Sequence, residues 1–96
     1  MKMIVMFVDA DHAADVERLF EECDVPGYSE IPNVSGKGAT GKKLGNRAFP
    51  GSSTLYVAAI DDECEGPLRE KLRELLDTRG PQEGLKVFSL NATELI

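Results

Sequence analysis

The residues best suited to chemistry crowd one stretch, GKGATGKKLGNRAFPGSST, from Gly36 to Thr54. Gly36, Gly38, Gly41, Gly45 and Gly51 let backbone amides approach an anion closely, and Lys37, Lys42, Lys43 and Arg47 neutralise it. That combination supports capture of a small anion, a phosphate above all. Two nucleotide patterns match by spelling. Gly36, Gly41 and Lys42 fit the start of a P-loop, but Lys43 stands where a Ser or Thr should ligate magnesium. Gly36, Gly38 and Gly41 fit G-x-G-x-x-G. Both patterns work only where the loop opens a helix whose N-terminal amides hold the phosphates. Here Gly45, Pro50 and Gly51 follow and no helical stripe appears. Neither fold is expected; their shared anion chemistry is.

Other reactive residues are sparse. The one histidine, His12, lies beside Asp9 and Asp11, an oxygen–nitrogen set that a metal can use. At the mouth of a helix these residues read better as cap and solvated first turn, so no metal site is expected. With one histidine there is no material for a Ser/His or Cys/His pair, and neither catalytic residues nor an enzyme are expected. Cys23 and Cys64 are too few and too far apart for a disulfide framework or a zinc site. Both are expected as free thiols, Cys23 in the core.

The elements that must position the basic stretch read in order. KMIVMFVDA is a strand; a helix follows, capped by Asp9 or Asp11, with Val16, Leu19, Phe20 and Cys23 on one face and Pro26-Gly27 at its end. YSEIPNV is a second strand that Pro32 suits to an edge or a bulge. The basic loop, flexible over about residues 37–51, leads to the strand STLYVAAI. The acidic cluster Asp61 to Glu65 and Gly66-Pro67 start a second helix, with the stripe Leu68, Leu72, Leu75 and Leu76. TRGPQEG turns into a last strand, LKVFSLNATELI. This is βαββαβ, an α+β ferredoxin-like arrangement with two helices on one face of an antiparallel sheet, in one domain over residues 1–96.

Charge and hydropathy narrow the function. Of a net charge of −6, residues 31–60 carry four basic and no acidic residues, and the remainder carries seven basic against 17 acidic. An acidic body repels nucleic acid while a basic island still holds one small anion. Phe7 and Tyr56, on the strands where RNA-recognition domains of the same order stack bases, are expected in core or interface packing. No run suits a membrane span or a signal peptide, so no membrane insertion and a cytoplasmic location are expected. The first and third strands are apolar on both faces, and a chain of 96 residues has nothing left to cover the second. Another copy is expected to cover it.

With the loop placed between the second and third strands, the chain resembles the P-II nitrogen-regulatory signalling proteins. The likeness rests on Met1-Lys2 with Ile4, Asp15-Val16, Val25 with Gly27, Ser29, and NVSGKGATG against the family's V-x-G-x-G and following glycine. TRGPQEGLKVF, Thr78 to Phe88, resembles the family's T-G-x-x-G-D-G-K-I-F with one residue inserted. The resemblance implies a homotrimer whose sheets line a central barrel, with an adenine nucleotide (ATP, ADP, AMP or a cyclic form) in the clefts between subunits. It implies that Val34, Gly36 and Gly38 meet adenine and ribose, and that Glu83, Gly84 and Lys86 stand at the phosphates. It implies that the basic loop is a lever for a protein or transporter partner.

There are departures. The glutamine that helps hold magnesium and 2-oxoglutarate in the family falls at Ala39 or Thr40. The loop has no tyrosine for uridylylation, and the residues through Ile96 carry no arginine-rich tail. Lys42, Lys43 and Arg47 are expected to take over the tail's phosphate contacts. The expectation is therefore a P-II-like ligand-sensing trimer; the alternative is a metal- or metabolite-binding ferredoxin-like protein without nucleotide.

Overall fold

Two helices lie on one face of a four-stranded antiparallel sheet in a computed structural model that describes residues 1–38, 41–43, 53–79 and 85–96. Strand β1 (Lys2–Asp9) leads through a 3-10 turn, Ala10–His12, into α1 (Ala13–Glu22). Then come β2 (Ser29–Val34), β3 (Gly36–Gly38), β4 (Gly41–Lys43), β5 (Ser53–Ile60), α2 (Asp62–Arg79) and β6 (Leu85–Asn91). The sheet order is β2-β5-β1-β6, so the two apolar strands β1 and β5 are central, and the fold is the ferredoxin-like βαββαβ expected. β3 and β4 form a separate two-stranded ladder within the stretch expected as irregular loop. Three-residue strands built of glycine and lysine have neither β propensity nor an apolar alternation to announce them. The rest of that stretch, 39–40 and 44–52, lies outside the described residues.

The period-two alternation of the strands decides which residues form the core. Ile4, Met6 and Val8 of β1 and Tyr56, Ala58 and Ile60 of β5 are buried under the helices. Val16, Leu19 and Phe20 of α1 and Leu68 and Leu72 of α2 close over them, with Leu75, Leu76, Cys23 and Cys64 half-buried at the margin. Both cysteines are free thiols. Tyr56 is fully buried and packs edge-on against Phe20 and Tyr28 at centroid distances of 5.7 and 5.6 Å. Its hydroxyl donates to Glu17 Oε2 at 2.8 Å, so the one polar atom of a large core side chain is satisfied.

Two local expectations for the first helix differ from what forms. Neither Asp9 nor His12, the residues at the starts of the 3-10 turn and of α1, makes a side-chain capping bond. α1 ends at Glu22, before Pro26-Gly27: Asp24 takes the left-handed position (φ 54°), its amide donating to Glu21 O at 3.1 Å while Val25 N donates to Phe20 O at 3.0 Å. That is a Schellman ending with aspartate in the place glycine usually fills, and Val25 seals it by packing on the core. α2 starts at Asp62, inside the acidic cluster expected at its start, with Asp62, Glu63 and Glu65 in its first turn, where negative charge meets the positive end of the helix dipole. Pro67 therefore lies inside the helix.

β2 is the edge strand that Pro32 suggested, and it is also bulged. Ile31 pairs with Leu55 and Val34 with Ser53, so three steps along β2 match two along β5. Asn33 sits in the extra step with φ 58°.

Candidate functional site

Among the described residues, no helix lies on the opposite face of the sheet. Met3, Val5 and Phe7 of β1 line it with Leu55 and Val57 of β5, Ile31 of β2, and Phe88 and Leu90 of β6, by the same alternation and pairing. Phe7, Ile31, Phe88 and Leu90 are 41–53% exposed, so the described residues leave a continuous apolar surface uncovered. Phe7 and Tyr56 consequently face opposite ways. A pair of aromatics stacking bases on one open face, as in RNA-recognition domains, is not built here.

The described residues singled out for anion binding lie toward one end of the sheet. The C-terminal end of β2, the N-terminal end of β5, the C-terminal end of β1 and the N-terminal end of β6 lie in one row: Val34 pairs with Ser53, Ser53 with Asp9, and the adjacent Val8 with Leu85. Val34, half-buried at the end of β2, leads through Ser35 into β3 with Gly36, Lys37 and Gly38. Lys42 and Lys43 belong to β4, where Lys42 pairs with Lys37 and Lys43 with Gly36 along the backbone. Lys86 is exposed near the start of β6 and pairs with Phe7, which places it on the helix-free face. Arg47, Glu83 and Gly84 lie outside the described residues.

The two halves of this set are not together in one chain. β2 and β6 are the opposite edges of the sheet, three inter-strand spacings or roughly 14 Å apart. Val34 and the β3–β4 hairpin flank one corner, Lys86 the other. Phe7 stands next to the second corner and was not singled out for binding. Because β1 is apolar on both faces, nothing in its sequence distinguishes Phe7 from the buried Met6 and Val8. Its mark is structural: it is the aromatic directly across from Lys86.

His12, at the same end, pairs with Asp15, its Nδ1 3.8 Å from Oδ2, and Asp15 also meets Arg18 at 3.8 Å. Among the described residues no group of three His, Cys, Asp or Glu side chains converges as a metal site would require. Also among them, no helix is long and apolar enough to cross a membrane.

No protein-family model matches the chain, and a search of curated proteins finds no match in sequence. Solved structures do match in fold. CPII, a nitrogen regulatory PII-like protein from Thiomonas intermedia K12 bound to ADP, AMP and bicarbonate, superposes with a TM-score of 0.72 at 23% identity over 93% of this chain and 84% of its own. The same protein bound to ADP and bicarbonate gives 0.71 at 24% identity, over 93% and 84% of the two chains. Its apo form gives 0.69 at 21%, over 93% and 85%. The chain thus has the fold of a PII-like protein, shared at low identity over nearly its whole length.

Proposed function

We propose that this protein is a PII-like, non-enzymatic regulator. It is a homotrimer that binds an adenine nucleotide, or a similar phosphate anion, in the clefts between subunits and signals to a protein partner through the basic stretch 37–51. One observation carries this conclusion: the candidate site is split between the two edges of the sheet at a single end. A ligand that meets Val34, Gly36 and Gly38 on one edge lies roughly 14 Å from the edge that carries its own chain's Lys86, and a neighbour's Lys86 is the one proposed to meet it. Contact between one subunit's β2 edge and the next one's β6 edge is head-to-tail, and head-to-tail contacts that close make a ring. The uncovered apolar face supports the same assembly, since a ring of three sheets buries all three faces around its axis. The ADP and AMP bound by CPII support an adenine nucleotide as ligand, and its bicarbonate supports a second small anion beside it.

In this assembly Val34, Gly36 and Gly38 hold adenine and ribose. Lys86, with Glu83 and Gly84 of the preceding turn, meets the phosphates. Lys37, Lys42, Lys43 and Arg47 close over them, and a partner such as a transporter domain reads whether they have done so. A cytoplasmic location fits both ligand and partner. The test is calorimetry with ATP, ADP, AMP and cyclic AMP, each with and without bicarbonate, beside sedimentation. One site per subunit in a particle of three 10.5 kDa chains is expected. A monomer that binds no phosphate compound at submillimolar concentration overturns the proposal.

A further inference from the structure

We infer that Asn33 is a positioning residue for the proposed nucleotide site. Its left-handed backbone lets β2 carry one extra residue and so turns Val34 onto the sheet face that bears Phe7 and Lys86. This rests on the nucleotide reading above and adds a residue that neither the basic stretch nor the glycines point to.

Phase carries the inference. Side chains alternate along a strand, so residues three apart face opposite sides. Ile31 and Val34 are three apart, yet each pairs with a residue of the helix-free face, Ile31 with Leu55 and Val34 with Ser53. Without the extra residue, Asn33 would pair with Ser53 and Val34 would turn toward the helix side, since a one-residue slip moves every side chain to the other face. The interruption is confined to Pro32 and Asn33, which together oppose Thr54, buried on the helix side. Proline brings no amide hydrogen to a point where the ladder is broken, and asparagine tolerates φ 58° better than most residues with a side chain. Pro32–Asn33 is thus a two-residue phase shifter placed just ahead of Val34 and Gly36. On the opposite edge, β6 pairs with β1 without interruption from Leu85 to Asn91, so Lys86 needs no such device.

The test uses the full chain with Asn33→Gly, Asn33→Ala and Asn33→Val, and Asp24→Val as a control for strain. Asp24 is the other non-glycine residue with positive φ among those described, at the far end of α1 from the site. Two readouts are taken: the Val34–Ser53 cross-strand nuclear Overhauser contact, and ADP affinity by calorimetry. Asn33→Gly is expected to keep the contact and to bind ADP within about twofold of the parent, because glycine accepts the same backbone. Asn33→Val should lose the contact and bind ADP at least about tenfold more weakly, as a group held out of place does. If the valine variant does not fold, the alanine variant takes its place with the same expectation. Asp24→Val should lower the melting temperature and leave ADP affinity unchanged.

Parent-like ADP binding or an intact contact in Asn33→Val, or in its alanine substitute, overturns the inference. So does equal weakening in Asn33→Gly, which would make the side chain and not the backbone the cause. A parent that binds no ADP removes the nucleotide reading alone. The cross-strand contact then still decides whether Asn33 sets the phase of Val34.

Discussion

Lys86 and the loop lysines should answer differently to salt. Lys86 projects from a strand paired along its length, whereas Lys42 and Lys43 belong to a three-residue strand outside the main sheet. Replacing Lys42 and Lys43 together by alanine should weaken binding of ADP at low salt and matter progressively less as salt rises, with the melting temperature of the free protein nearly unchanged. Lys86→Ala should weaken binding at every salt concentration; calorimetry from low to high ionic strength checks both. Tyr56 provides a second test. Burial, and then the Glu17 carboxylate that accepts its hydrogen bond, push its phenol well above the usual value of 10.0. The unfolded chain therefore loses this proton first. The stability tied to it should be fully present below about pH 10 and fall as pH rises beyond that. Urea melts from pH 8 to 11 should show the fall, and Tyr56→Phe should flatten it while costing about 1–2 kcal/mol at neutral pH. The glycines and lysines of the basic stretch were legible as residue types. Which of Phe7 and Tyr56 meets water was not, because the central strands are apolar on both faces and only pairing assigns the face.

At the scale of elements, types and order were legible and endings less so. The strand STLYVAAI is observed with its expected bounds as β5, and the stripe Leu68, Leu72, Leu75 and Leu76 is the inner face of α2. The end of α1 moved, where local chemistry had two outlets. Asp24 ends α1 before the stronger breaker Pro26-Gly27 is reached, because Val25 gains a place on the core by turning early. α2 runs back across Pro67 because three acidic residues favour its first turn and Cys64 N donates to Asp61 O at 3.0 Å. The proline is then a defect on the exposed side of α2, lacking the amide that would reach the carbonyl of Glu63. Pro67→Ala should raise stability by about 1–2 kcal/mol, the regained hydrogen bond outweighing the freer unfolded chain. Thermal or urea melts decide it, and no change would mean that the first turn of α2 is already frayed.

For the whole molecule, the open face makes a sharper demand than the pattern of apolar strands could. Val5 and Val57 pair with each other and both lie on the helix-free side. The sequence left their faces open; pairing now assigns them. Val57→Glu should therefore leave the helix-side core intact and break the assembly, giving a folded monomer by sedimentation and circular dichroism, since an unpaired carboxylate buried between subunits costs several kcal/mol. Loss of the folded monomer as well would mean that the chain has no stable existence alone. The separation of the two binding corners has a genetic consequence. If each cleft joins the hairpin corner of one subunit to the Lys86 corner of the next, two weakly binding variants carry lesions in different halves. Lys86→Ala chains and Gly36→Val chains, unfolded together and refolded as mixed rings, should recover ADP binding in about a quarter of their clefts. Either variant refolded alone should stay at its own weakened affinity, and two defective copies would complement each other as partners in one cell.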